Sequence, residues 1–288
     1  MKQAYVLGID GGGTKCAGTL FNDAGQALAQ AETGPANIFR DLAQAKASIL
    51  ALAENISAQT SIPLDNFELS LGCAGAGVHG AAEALLEWKH PFKSMAVTSD
   101  LHIACLAANK GKECGLLITG TGSALAHYRL SGLKSFGGYG ASLGDQAGGA
   151  YIGKRALQSL LMQVDGIAAD DDYIRSMLTF LDCVSANQIV SRYQNAQPSD
   201  FGAIAPHLIG LLRSGNLTAQ AIFDEQIEYL RNLINATDIP ANIPIFMSGG
   251  LAPIYLPYLR ERVSHHLSIS EQRAEYGAYL YIHQEIQE

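Results

Sequence analysis

Three glycine-rich turns hold the residues best suited to phosphate chemistry. Asp10-Gly-Gly-Gly-Thr-Lys15 follows the apolar run Tyr5–Ile9. Consecutive glycines let backbone N–H groups of Gly12 and Gly13 approach phosphate oxygens with no Cβ in the way. Thr14 and Lys15 add donors, and a carboxylate at a strand end, here Asp10, can hold a hydrated Mg2+. Thr119-Gly-Thr-Gly-Ser123 repeats this physics after Gly115–Thr119, with Gly120, Thr121, Gly122 and Ser123 as candidates. Ser248-Gly249-Gly250-Leu251 follows Ile243–Met247, where a glycine pair lets a flat base lie against the backbone or simply turns the chain into a helix. Two such loops at equivalent strand ends would form a two-sided phosphate clamp.

Two carboxylates stand out beside these loops. Asp100 ends the strand-like run Met95–Ser99, a position that points into the ligand-binding crevice of an α/β sheet. There it can accept a proton from a hydroxyl during phosphoryl transfer, or cap the helix Leu101–Asn109. Gly137-Gly-Tyr-Gly140 leads to Gly144-Asp145. Tyr139 on this loop can stack on a sugar ring, and Asp145 can hold a sugar hydroxyl or a metal-bound water, or cap the next helix. Gly75-Ala-Gly-Val-His-Gly80 is a rival: it fits G-x-G-x-x-G and has Asp100 about 20 residues downstream, as in a dinucleotide fingerprint for an NAD-dependent oxidoreductase. Its following helix is short, and it leaves the other glycine loops unexplained. G-x-x-x-x-G-K-[ST], H-E-x-x-H, G-x-S-x-G and any Cys/His cluster are missing, which removes P-loop, zinc and serine-hydrolase chemistry.

The elements that must position these residues read as two cycles. Tyr5–Ile9, Ala17–Phe21 and Gln26–Glu32 are strands, with a hairpin turn at Asn22–Gly25. Leu42, Ala45, Ile49, Leu52 and Ile56 are spaced 3, 4, 3 and 4, so Arg40–Ser57 is an amphipathic helix. Phe67–Cys73 and Met95–Ser99 are strands, and Ala81–Trp88 a short helix. The second cycle opens with strands Gly115–Thr119 and Ala124–Leu130 and a turn at Ser131-Gly132, then a helix over Gln146–Val164. Asp170–Asn235 is mainly helical, Ile243–Ser248 is the last strand, and Pro253–Val263 and Glu271–Gln287 are helices. The strand, glycine loop and hairpin occurring twice suggest a duplicated α/β architecture with a cleft between its halves.

Composition narrows the classes. The chain has 288 residues, 48% apolar and 16% charged, with 30 glycines. Low charge and high hydrophobicity exclude a disordered chain. A net charge of −8 with no basic run argues against nucleic acid. The longest uncharged stretch, Ile239–Leu259, carries four prolines and a glycine pair, which excludes a spanning helix, and the run Ala4–Ile9 is too short for a signal peptide. Five cysteines without C-x-x-C suit a reduced cytoplasm.

The ordered set Ile9–Thr14, Pro35-Ala-Asn-Ile38, His90-Pro-Phe92, Ser99-Asp100, Gly120–Ser123, Gly137–Gly140, Gly144–Gln146, Asp165-Gly-Ile167 and Ser248–Gly250 resembles the sugar-kinase/Hsp70/actin superfamily. Within it the chain is similar to the BadF/BadG/BcrA/BcrD-type ATPases and, more narrowly, the amino-sugar kinases. The resemblance implies a duplicated ribonuclease-H-like fold of two actin-like domains, 1–105 completed by a C-terminal helix 271–288, and 106–270. It implies ATP and Mg2+ as cofactors, a small amino sugar as partner, and leaves a homodimer open. Asp10 would lie near Mg2+ and the transferred phosphate, with Asp145 a second candidate for the metal. Thr14, Thr121 and Ser123 would bind ATP phosphates, and Gly249 and Gly250 would border the adenosine. Asn37 and Asp145 would bind sugar hydroxyls, Gly138 and Tyr139 would line the sugar pocket, and Asp100 would be the base for the 6-hydroxyl. Pro35–Ile38 and Asp145-Gln146 look more like glucosamine kinases, while Tyr139 and Gln146 stand where many N-acetylglucosamine kinases have Trp and Glu. An activator of a 2-hydroxyacyl-CoA dehydratase, or a non-kinase actin-like module, is the alternative, and an activator needs interface cysteines for an iron–sulfur cluster.

Overall fold

The structure is a computed structural model that describes residues 5–169 and 171–285. The expectations that touch Ala4, Asp170 and residues 286–288 lie outside the described residues. In chain order, the first cycle holds β1 (Tyr5–Gly11), β2 (Cys16–Phe21), β3 (Ala27–Thr33), α1 (Leu42–Thr60), β4 (Phe67–Cys73), α2 (Ala81–Leu86), β5 (Ser94–Ser99) and α3 (Asp100–Ala108). The second opens with β6 (Cys114–Thr119), β7 (Ser123–Arg129), β8 (Gly132–Gly137) and α4 (Gly149–Val164). Then come α5 (Asp172–Leu181), α6 (Ala186–Tyr193), α7 (Pro198–Gly202), α8 (Ala205–Arg213), α9 (Leu217–Asn235), β9 (Ile245–Ser248), α10 (Ala252–Arg260), β10 (Leu267–Ile269) and α11 (Ala274–Glu285).

Each cycle builds one five-stranded sheet. The first is ordered β3-β2-β1-β4-β5 and the second β10-β9-β6-β7-β8. Read from the other edge, the second becomes β8-β7-β6-β9-β10, rank for rank the order of the first. The short sequence rhyme at the two glycine loops therefore extends to a whole sheet. Strands β8 and β10 extend the expected elements. β8 is a largely exposed edge strand with a charge at Lys134, and β10 has only three residues, so neither carries a strong apolar alternation.

The chain forms two compact units. One holds the residues up to Leu116, His127–Leu133 and those from Ser270 onward; the other holds Leu117–Ala126 and Lys134–Ile269. A division at 105/106 would fall inside α3, whose helix continues to Ala108. In the first unit β2 runs antiparallel and β4 parallel to β1, and the pair Asp10↔Gly72 lies one residue before the strand end. Helix α1 presents Ala45, Ile49, Leu52 and Ile56 to the core, as its spacing requires, and Asp41 caps it by accepting from the Gln44 N–H at 2.9 Å. Helix α11 packs against α3 and β1. That approach needs Gly277, since a Cβ there would collide with the Ile103 carbonyl. Tyr279 packs against Phe21 with its ring tilted, centroids 5.1 Å apart.

The second unit has its own core of Leu125, Ala156, Leu160, Tyr173, Phe223, Leu230, Met247 and Tyr255. Tyr255 shows how its loops are held: fully buried, it donates to the Ala147 carbonyl at 3.0 Å and stacks on Phe223.

Candidate functional site

In the first unit, β1 continues through Gly11, so Asp10 is a strand residue and not a loop residue. The hairpin turn beyond it closes with the Gly12 N–H donating to the Lys15 carbonyl at 2.8 Å. Gly13, Thr14 and Lys15 are exposed at its tip, and Lys15 pairs with Glu32 at 2.7 Å.

Asp10 is half-buried, and its carboxyl is pushed up to about 6. Burial is the largest cause, followed by the negative charges of Glu275 and Asp100; Lys15 and Arg273 oppose it. The charge of Asp100 thus reaches Asp10, although β4 lies between their strands. Glu275 is the member of this group that sequence reasoning missed. It is almost fully buried at the start of α11, where Arg273 donates to it at 2.7 and 3.0 Å. Its only sequence signal is an acidic residue in a helix first turn.

Asp100 is the first residue of α3, not its cap. Ser99 caps the helix by accepting from the His102 N–H at 3.1 Å. The Asp100 carboxylate accepts from the Leu101 N–H at 2.9 Å, yet burial still raises its affinity for a proton. Capping and chemistry are thus divided between two adjacent residues. Asn37 lies in the turn before α1, where its Oδ1 accepts from the Phe39 and Arg40 N–H groups at 3.1 and 2.9 Å. Both partners are donors, so the oxygen is assigned by chemistry and the Nδ2 amide is the end left to a ligand.

In the second unit, the Gly120–Ser123 loop is tied to the start of α4. The Gly149 N–H donates to the Gly120 carbonyl at 2.8 Å and the Ala150 N–H to the Thr121 carbonyl at 2.9 Å. Thr121 is exposed. Ser123 is buried and its hydroxyl donates to the Gln146 carbonyl, so its donor proton shapes the loop. Asp145 does not cap α4, which starts at Gly149 behind Gly148. Asp145 instead takes a left-handed conformation, φ +60°, and accepts from the Gly140 N–H at 3.2 Å and from the Ser123 N–H. It joins the Gly137–Gly140 loop to the Gly120–Ser123 loop, and burial raises its pKa. Gly138 and Tyr139 are exposed on that loop.

The Gly249-Gly250 turn leans on the same loop. The Leu251 N–H donates to the Thr119 carbonyl at 3.0 Å. Gly249 has φ +95°, and a Cβ on it would overlap that carbonyl. A Cβ on Gly120 or Gly250 would meet no protein atom within 4 Å, so both present open backbone. This suits the approach of a nucleotide.

Other readings lose ground. The Gly75–Gly80 loop lies in the parallel crossover from β4 to β5, but it leads into a helix of only six residues. All five cysteines are buried, with the Cys16 and Cys114 thiols pushed up to about 12 by burial, which counts against an activator's exposed cluster ligands. Among the described residues no three His, Cys, Asp or Glu side chains converge as a metal cage. A magnesium ion, which is held by one or two carboxylates together with phosphates and water, does not need one.

Comparison with known proteins agrees with this geometry. The model of the BadF/BadG/BcrA/BcrD ATPase family matches residues 7–280. The glucosamine kinase of Vibrio cholerae is 32% identical over 209 residues, 71% of this chain and 70% of that protein. The N-acetyl-D-glucosamine kinase of Dictyostelium discoideum is 25% identical over 276 residues, 87% of this chain and 86% of that protein. A Chromobacterium violaceum protein, solved as a candidate N-acetylglucosamine kinase, shares the fold with a TM-score of 0.85 at 24% identity, covering 96% of this chain and 98% of that one.

Proposed function

The chain belongs to the BadF/BadG/BcrA/BcrD ATPase family, and from that premise we propose that it is an ATP-dependent amino-sugar kinase acting on the sugar 6-hydroxyl. The observation that carries the reaction is Asp100. It is a partly buried carboxylate on the first residue of α3, just past the C-terminal end of the parallel strand β5, and its charge reaches Asp10. In its ionised form it accepts the hydroxyl proton as the sugar oxygen attacks the γ-phosphorus of ATP. Asn37 and Asp145 bind sugar hydroxyls, and Gly138 and Tyr139 lie along the ring. Gly13, Thr14, Lys15, Thr121, Gly122, Gly249 and Gly250 receive the nucleotide through backbone N–H groups and the Thr14 and Thr121 hydroxyls, while Gly12 and Gly120 border it and their N–H groups close the turns onto the Lys15 and Gly122 carbonyls. The Ser123 hydroxyl supports that loop from beneath.

Mg2+ fits the Asp10 group. Glu275 and Asp100 add negative charge against the buried Asp10 carboxyl, and a divalent cation would offset it. Asp10 would hold it, with Asp145 a second candidate, and the ion would neutralise charge on the transferring phosphate. The resemblance of Pro35–Ile38 and Asp145-Gln146 to glucosamine kinases, with the Vibrio relative, makes glucosamine the slightly favoured substrate over N-acetylglucosamine.

The test is ADP release coupled to a visible readout, run with ATP, Mg2+ and a panel of glucosamine, N-acetylglucosamine, N-acetylmannosamine and glucose. Amino-sugar-dependent release is the expected result. ATP hydrolysis indifferent to every sugar would overturn the kinase reading.

A further inference from the structure

Gly75–Gly80 is the one glycine motif that the kinase reading leaves without a role. In the fold it is the floor under the Asn37 turn. The Ala74 carbonyl accepts from the Ile38 N–H at 3.1 Å, and the Ala74 N–H donates to the Gly11 carbonyl at 2.8 Å. The Ala36 N–H donates to the Gly12 carbonyl at 2.9 Å. The segment Ala36–Ile38 is thus stitched on one side to the turn after Asp10 and on the other to the loop after β4. Above that stitch, Gly75 faces the turn directly. A Cβ on it would stand 2.6 Å from the Phe39 Cβ, 2.9 Å from the Asn37 Oδ1 and 3.0 Å from the Phe39 nitrogen. Two of those three atoms are the two ends of the hydrogen bond that sets the Asn37 rotamer. Gly75 also holds φ +87°, a region L side chains rarely adopt.

We propose that Gly75 is a positioning residue for the sugar: its bare Cα is the seat on which the Asn37 turn rests, so that the Asn37 amide is held where a sugar hydroxyl meets it. The inference rests on reading Asn37 as a sugar ligand. A side chain at 75 lifts the turn at its Oδ1 and Phe39 contacts, and the amide moves with it. The nucleotide loops of the second unit are untouched. Gly77 provides the internal control. It lies two residues along the same loop, and a Cβ there meets nothing within 4 Å.

The experiment compares Gly75→Ala, Gly75→Asn, Gly77→Ala and Asn37→Ala in the full-length kinase, reading KM for sugar, KM for ATP and the sugar-induced and ATP-induced rises in Tm. Asparagine tolerates a left-handed backbone best among residues with a Cβ, so Gly75→Asn keeps the test open if the alanine variant does not fold. Gly75→Ala and Gly75→Asn should raise the sugar KM about 3–10-fold, the worth of one weakened hydrogen bond, with the ATP KM moving less than about twofold. Gly77→Ala should match the parent. The inference is overturned if Asn37→Ala raises the sugar KM while the Gly75 variants do not, or if the Gly75 variants shift sugar and ATP KM together. If Asn37→Ala leaves the sugar KM unchanged, the reading of Asn37 falls, and the inference with it.

Discussion

Replacing Asp10 by asparagine should stabilise the ligand-free protein at neutral pH while abolishing turnover. The Asp10 carboxyl titrates at about 6 in the folded chain against 3.8 for an unperturbed aspartate. The folded state therefore binds the proton more tightly than the unfolded state. Between those two values the unfolded chain loses its proton first, so the free energy of unfolding falls as pH rises, and levels off above the folded value. A shift of about 2 units corresponds to roughly 3 kcal/mol of stability, fully present below pH 4 and lost by pH 7. About 2 kcal/mol of that change falls between pH 4.5 and 7.5, a practical window. Asparagine has the shape of the neutral acid and does not titrate.

The assay is urea unfolding of both proteins at intervals across that window, with no nucleotide or divalent ion. The gap in stability, asparagine variant minus parent, should widen by about 2 kcal/mol from pH 4.5 to 7.5. Adding Mg2+ with ADP at pH 7.5 should narrow it by stabilising the parent alone, because a cation favours the ionised carboxyl. A gap that stays flat with pH, or one that closes as pH rises, would refute the account of Asp10 as a carboxylate strained by burial and by its acidic neighbours.

Three further outcomes test the rest of the site. Asp100→Asn should cut kcat by roughly 10²–10⁴-fold with the ATP KM little changed, in steady-state assays; near-normal turnover would remove Asp100 from the role of base. Glu275→Gln removes the largest negative charge acting on Asp10, so the inflection in the same pH-resolved unfolding should move down toward the ordinary aspartate value. An unmoved inflection would show that burial alone sets Asp10. Gly249→Ala meets both the Thr119 carbonyl and an unfavourable φ, and should cost about 1–3 kcal/mol in urea unfolding, whereas Gly250→Ala, whose Cβ meets no protein atom, should stay within about 0.5 kcal/mol and weaken ATP binding instead. Equal loss of stability at both positions would contradict the described turn.

How much of this was legible in the sequence depends on whether the governing contacts are local. The sequence reads Phe67–Cys73 as a strand with its observed bounds because Phe67, Leu69, Leu71 and Cys73 alternate with Glu68, Ser70 and Gly72, the period of a strand. Helix α1 was read from a regular stripe. For Asp145 the sequence leaves a cap open beside a sugar or metal role, because Gly-Asp-Gln before a helical pattern carries a cap's signature. In the fold, left-handed residues at Asp145 and Ala147 delay the helix to Gly149, and the carboxylate turns back to bind the Gly140 and Ser123 amides. No pattern of residues announces that delay, since it follows from packing of the Gly120–Ser123 loop on α4. Glu275 was invisible for a stronger reason. Its partner Asp10 stands at the far end of the chain, and only the return of α11 onto β1 and α3 brings the two together.

That return also explains how an acidic chain can serve phosphate chemistry. The two cations that act on Asp10 are each engaged elsewhere, Lys15 with Glu32 and Arg273 with Glu275. They reduce the local negative charge without reversing it, since the carboxylates Asp10, Asp100, Glu275 and Glu32 outnumber them. A triphosphate approaching this group alone would meet net repulsion, and exposed pairs such as Lys15–Glu32 are too weakly coupled to offset it. Anion binding must then come from groups that carry no formal charge, such as backbone N–H groups. Under the proposed function the acidic group at Asp10 would serve another purpose than anion binding, which is to hold the cation that accompanies the phosphate.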